Sequence, residues 1–148
     1  MNELNTVYDF IKSTFESYDV ETITRVPFED IGVIKNITFP LVNVDYTGCR
    51  YENGLVIFKF TIYSLKKRDL SKTPISNWWD NNDNRVANLV DTENILRKFI
   101  FKIENLNNDD DIELISRTDL TAGMAIFMDI LDGHSFDVEL GITNDVQC

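Results

Sequence analysis

Residues 84–104 read NRVANLVDTENILRKFIFKIE. Val86, Leu89, Val90, Leu96, Phe99, Ile100 and Ile103 recur at steps of three, four and seven, the spacing that gathers side chains on one face of an α-helix. Asp83 or Asn84 stands at the N-cap, where a short acceptor can bond the free amides of the first turn. Arg97, Lys98 and Lys102 lie near the other end, where cations suit the helix dipole. At roughly 1.5 Å per residue such a helix spans about 30 Å, enough to cross a small domain. The segments on both sides carry strand signals, so this is the element on which a sheet is expected to pack.

Upstream, Val42, Val44 and Tyr46 alternate with Asn43 and Asp45. Asn53-Gly54 follows, a pair that tolerates the positive φ of a type I′ hairpin turn. Beyond it, Val56, Phe58, Phe60 and Ile62 alternate with Ile57, Lys59, Thr61 and Tyr63. Residues 40–65 therefore read as an antiparallel hairpin with one apolar and one mixed face. Leu4, Val7, Tyr8, Ile11 and Phe15 form a helical stripe that makes residues 3–17 an amphipathic helix. Residues 18–38 mix β-branched runs with Pro27 and read as short strands or extended loop. Downstream, strands are expected at 112–116, 124–131 and 135–142, with a turn at 118–123. Asp132-Gly133 reads as a second hairpin turn, with His134 on the surface beyond it. The predicted fold is α+β: an antiparallel sheet packed against an N-terminal helix and the long central helix, in one domain over residues 1–148.

Between hairpin and long helix lies an aperiodic stretch, a protruding loop at about residues 66–83. Connections of this length without their own structure are usually functional or flexible. It holds Lys66, Lys67, Arg68 and Lys72, four of the 14 basic residues, and both tryptophans, Trp78 and Trp79. Adjacent tryptophans in a loop do not easily both enter their own core, and tryptophan is enriched at interface hot spots. These six residues are the interface candidates.

The formal net charge of −11 argues against a conventional nucleic-acid reader. No apolar run reaches the roughly 18 residues of a membrane span. Met1-Asn2-Glu3-Leu4 lacks the basic and apolar regions of a secretory leader, so Cys49 and Cys148 are expected as free thiols in a reducing compartment. Asp80, Asn82 and Asn84 fall at the first, third and fifth positions of a calcium loop. Arg85 replaces the required glycine and Asp91 the final glutamate, so the stretch reads as a polar loop ending in a helix cap. Asp109, Asp110 and Asp111 read as a solvated acidic turn. Phosphate-binding glycine loops and nucleophile-elbow or zinc-helix motifs are missing. No catalytic, cofactor or metal site is expected.

The succession of a helix, the strand Phe39-Pro40-Leu41-Val42-Asn43-Val44, an aromatic second strand, a long loop and the helix start Asp83-Asn84-Arg85-Val86 resembles the tail-terminator and tail-completion proteins of tailed bacteriophages. This includes versions from phages of Bacteroides-like hosts. Leu89-Val90-Asp91-Thr92, Ile95-Leu96 and Ala122-Gly123 extend the likeness, although Met124 follows where the family commonly has tryptophan. The resemblance implies a structural virion protein assembled in the host cytoplasm. It implies a homo-oligomeric ring, six- or twelvefold, at the head–tail junction or tail end (a tail terminator or neck ring). That ring would contact the portal or tail tube and let DNA pass unbound by sequence. An acidic lumen, with Asp109, Asp110 and Asp111 as candidates, would repel the DNA backbone. Two alternatives stand beside this: a monomeric adaptor gripping a partner through Trp78-Trp79, and a small enzyme using Asp45, Asp129 and Asp137.

Overall fold

The computed structural model describes residues 2–33, 37–69, 84–107, 111–126 and 131–143. In chain order they form α1 (Glu3–Glu16), β1 (Thr22–Thr24), a 3-10 helix (Phe28–Val33), β2 (Leu41–Glu52) and β3 (Leu55–Lys67). There follow α2 (Arg85–Glu104), β4 (Ile112–Arg117), β5 (Thr121–Ile126) and β6 (Leu131–Thr143). The sheet runs β1-β2-β3-β6-β4, with β5 also paired to β6. β6 offers its whole length to β3, while β4 takes its second half and β5 its first half on the opposite edge.

The class is α+β, a sheet packed against two helices, as the sequence predicts. One strand departs from the antiparallel pattern. Thr22–Thr24 pairs parallel to Leu41–Asn43, so the six-stranded sheet is mixed. Residues 25–40 provide the long connection that parallel neighbours need. A three-residue strand is too short to show a period, which hides it in the sequence.

The hairpin forms at Asn53 (φ 52°) and Gly54 (φ 76°), both in the left-handed region the turn requires. Alternation then sorts the side chains. Val56, Phe58, Phe60 and Ile62 of β3, and Phe136, Val138, Leu140 and Ile142 of β6, face the helices. They meet Val7, Ile11 and Phe15 of α1 and Ile95, Leu96, Phe99 and Ile103 of α2. Phe15 stacks on Phe99 with ring centroids 4.5 Å apart, joining the two helices at the centre of the core. On the opposite sheet face, Ile31, Leu41, Leu65 and Leu131 form a second buried cluster under the 3-10 segment, where Phe28 stacks on Tyr63. Asn43 is buried there, and its amide bonds the Val26 backbone in both directions.

Four sequence expectations are corrected. The buried face of α2 is Asn88, Thr92, Ile95, Leu96, Phe99 and Ile103, whereas Val86 and Val90 are exposed. The polar side chains face inward at the start of the helix because charged and hydrogen-bonding groups of β3 and β6 lie beneath them. Asp132-Gly133 is no turn: both residues lie inside β6, paired with Lys66 and Leu65. Glycine is there because a Cβ at position 133 would stand 2.1 Å from the Ser64 carbonyl oxygen. β3 extends through Lys66 and Lys67, so the loop starts later than the sequence suggests. The strand expected from 124 instead begins at Thr121, within the stretch read as a turn.

Candidate functional site

A buried polar cluster lies where the first half of α2 crosses the ends of β3 and β6. Strand alternation aims Asp132, His134 and Ser64 at the helix, and Asn88 and Thr92, one turn apart, meet them. Asp132 is 0% exposed. Its carboxylate accepts two bonds from the Arg68 guanidinium, Nε at 3.0 Å and an Nη at 2.5 Å, in the fork-to-fork geometry arginine favours. Asn88 Nδ2 donates to Asp132 at 3.2 Å and to the Lys67 carbonyl at 3.0 Å. The Thr92 hydroxyl lies 2.8 Å from the Asn88 carbonyl and 3.0 Å from His134 Nδ1. Burial holds the His134 ring below its ordinary pKa, with the Glu93 carboxylate pulling the other way.

These groups clamp both roots of the segment between β3 and α2. The backbone amide of Asp69 donates to Asn84 Oδ1 at 2.7 Å, so the residue after Arg68 and the residue before α2 are bonded directly. The Asn84 amide nitrogen also reaches the Lys67 carbonyl and Asn88 Oδ1. Asn84 is thus the N-cap position the sequence predicts, but its side chain makes no bond to the first-turn amides and serves the clamp instead. Lys66 Nζ meets Asp91 at 2.7 Å, a further tie from β3 to α2.

Of the interface candidates, Lys66 and Arg68 are held by these contacts, and Lys67 lies at the end of β3 with its side chain exposed. Lys72, Trp78 and Trp79 lie outside the described residues, as do Asp109, Asp110 and Asp129. Asp111 is exposed just before β4. Cys49 is a free, exposed thiol. His134, expected on the surface, is half-buried against Thr92. Asp45 and Asp137 flank Thr61 in one cross-strand row on the sheet face away from the helices. Thr61 donates to Asp137 at 2.6 Å. Burial raises the Asp45 carboxyl pKa, opposed by a hydrogen bond from the Phe28 amide. A polar recess of about 460 Å³ opens beside this row, lined by Lys59, Arg117 and Glu139 among others.

Chemically, the cluster is built to hold rather than to react. Ser64 is the cross-strand neighbour of His134, but its hydroxyl is fully buried and unpartnered among the described residues. His134 turns to Thr92 and Asp132 to Arg68, so the three do not form a relay. Among the described residues no group of His, Cys, Asp and Glu is arranged to hold a metal, and no helix is long and apolar enough to cross a membrane. The residues missed in the sequence are Ser64, Asn88, Thr92 and Asp132. The available signal was that Asn88 and Thr92 continue the Ile95–Phe99–Ile103 face of the same helix. No family model and no curated protein matches the chain.

Proposed function

We propose that this chain is a structural protein of a tailed-phage virion, of the tail-terminator or neck-ring kind. Copies assemble into a six- or twelvefold ring that joins the tail tube to its neighbours and lets DNA pass. The sequence resemblance motivates the reading; of its motifs, Phe39–Val44 leads into β2 and Asn84-Arg85-Val86 lies at the start of α2. The observation that carries it furthest is the clamp. A buried ion pair and a set of amide bonds fix the two roots of residues 70–83, the segment that bears Trp78 and Trp79. A contact segment on a rigid base loses less entropy on docking than one on a loose base. The strongly acidic composition suits a lumen through which DNA slides without sticking.

The test is native mass spectrometry of the full chain, alone and with tail-tube and portal proteins of a tailed phage. A closed oligomer supports the reading, and a chain that stays monomeric in every mixture refutes it. Trp78→Ala with Trp79→Ala separates the adaptor alternative. A monomer that binds one partner, and loses it in the double variant with its fold intact, is an adaptor and not a ring subunit.

A further inference from the structure

We propose that Cys49 and Cys148 are the two halves of a reversible disulfide, which ties residues 144–148 across the tip of the β2–β3 hairpin when a small-molecule disulfide acts as oxidant. The bond needs one copy of the chain and is independent of the assembly reading.

These are the two cysteines of the sequence, far apart along it. Cys148 lies outside the described residues, and what brings it within range is where β6 ends. β6 runs antiparallel to β3 and finishes at Thr143, opposite Leu55. Leu55 is in turn the partner of Glu52 across the Asn53-Gly54 turn. The chain therefore leaves β6 at the hairpin tip. Cys49 lies three residues back from Glu52 on β2, which is two strands over from β6. At about 3.3 Å per residue along a strand and about 4.8 Å between strands, the Cα atoms of Thr143 and Cys49 are roughly 14 Å apart. Residues 144–148 span up to about 17 Å when extended, and a disulfide joins Cα atoms about 5.5 Å apart. That leaves slack for the chain to round the tip.

Cys49 is presented on the surface. The β2–β3 register shifts between Tyr46 and Gly48, and the extra residue turns Cys49 to the face of Phe58, between Tyr46 and Tyr51. The helices leave this corner open: Cys49 is exposed, Tyr51 is 71% exposed and Tyr46 36%. The Tyr46 hydroxyl donates a hydrogen bond to the Cys49 sulfur, and that bond with burial pushes its own pKa up to about 12. The thiol thus stands beside the phenol, on the side of β2 that a chain rounding the tip meets.

The chemistry is thiol–disulfide exchange. One protein thiolate attacks oxidised glutathione and releases one reduced glutathione. The second cysteine then attacks the mixed disulfide and releases the other. The two electrons and two protons lost by the protein thiols end on the two glutathione molecules. The fold sets how readily the second step occurs. In the folded chain a short segment closes the ring, whereas in the unfolded chain a loop of about 100 residues must close. Effective concentration falls roughly as the −3/2 power of length, so folding should favour the bond at least about tenfold.

The test equilibrates the full chain, fully reduced and at micromolar concentration, with mixtures of reduced and oxidised glutathione, followed by an acid quench and intact mass spectrometry. The expected product is a monomer lighter by two hydrogens, whose proteolytic map joins the Cys49 and Cys148 peptides. Half-oxidation should need at least about tenfold less oxidised glutathione than the same chain needs in concentrated urea. Cys148→Ser, which alters no described residue, should carry one glutathione on Cys49. Equal readiness in the folded and unfolded chain overturns the proposal. So does a folded product with glutathione on both cysteines and no link, or a bond between Cys49 residues of two copies. A Cys49 that stays unmodified in Cys148→Ser shows a thiol closed to the oxidant and overturns it as well.

Discussion

Replacing Arg68 with alanine removes the counter-charge of a carboxylate that has no access to water. Asp132 is 0% exposed at its side chain and Arg68 14%. After the change Asp132 keeps, among the described residues, the Asn88 amide at 3.2 Å. Breaking a buried pair in this way costs about 3–5 kcal/mol. In a domain of this size each kcal/mol moves the midpoint by about 2–4 °C, so the expected drop is about 6–20 °C. Arg97→Ala is the control: its pair with Glu93 is solvent-exposed on the arginine side, at 68%, and such pairs contribute under about 1 kcal/mol. Urea unfolding followed by far-UV circular dichroism measures both. The combination Arg68→Leu with Asp132→Leu should recover most of the loss, because it leaves no charge unpaired and Asn88 retains the Lys67 carbonyl. A single-variant cost under about 1 kcal/mol, or strictly additive costs in the double-mutant cycle, would refute the clamp as an ion pair closed to solvent.

Gly133→Ala should destabilise by about 3 kcal/mol, since the added carbon meets backbone at Ser64 rather than a side chain that can swing away; unchanged unfolding would show that the strands are not this close. Phe99→Ala should cost about 3–5 kcal/mol by opening the centre of the core beside Phe15 and Phe136, read by the same denaturation. His134 sets a pH dependence. Its folded pKa lies below the ordinary 6.5, so the unfolded chain takes up this proton first as pH falls. Stability from this residue is therefore intact above about pH 6.5, declines as pH drops below that value, and levels once the folded ring is also protonated. His134→Gln should flatten that part of a stability–pH profile, and a slope that persists unchanged would place its origin elsewhere.

The fold was legible where one physical rule dominated. Alternation over residues 58–62 beside the Asn53-Gly54 pair pointed to a hairpin, because period two next to a positive-φ turn suits paired antiparallel strands. The Asp132-Gly133 pair carries the same signature and means something else. Whether such a glycine turns a chain or lets two strands approach depends on what lies across from it, here the Ser64 carbonyl. The candidate site was least legible. Hydrophobic periodicity assigns Val86 and Val90 to the core of α2, while the structure puts Asn88 and Thr92 there and leaves the valines in solvent.

What the sequence determined by itself was local: the two helices, the hairpin of β2 and β3 with its turn, and a strongly acidic composition. Only the tertiary structure decided that Asn88 and Thr92, rather than Val86 and Val90, fill the inward face at the start of the long helix 85–104. That choice follows from Asp132 and Arg68, 64 residues apart in the chain, meeting beneath the start of that helix. A buried charge must be paired and hydrogen-bonded, and Asn88, on the face that Ile95, Phe99 and Ile103 turn to the core, supplies one of those bonds. The same pairing fixes where the segment bearing Trp78 and Trp79 leaves the sheet.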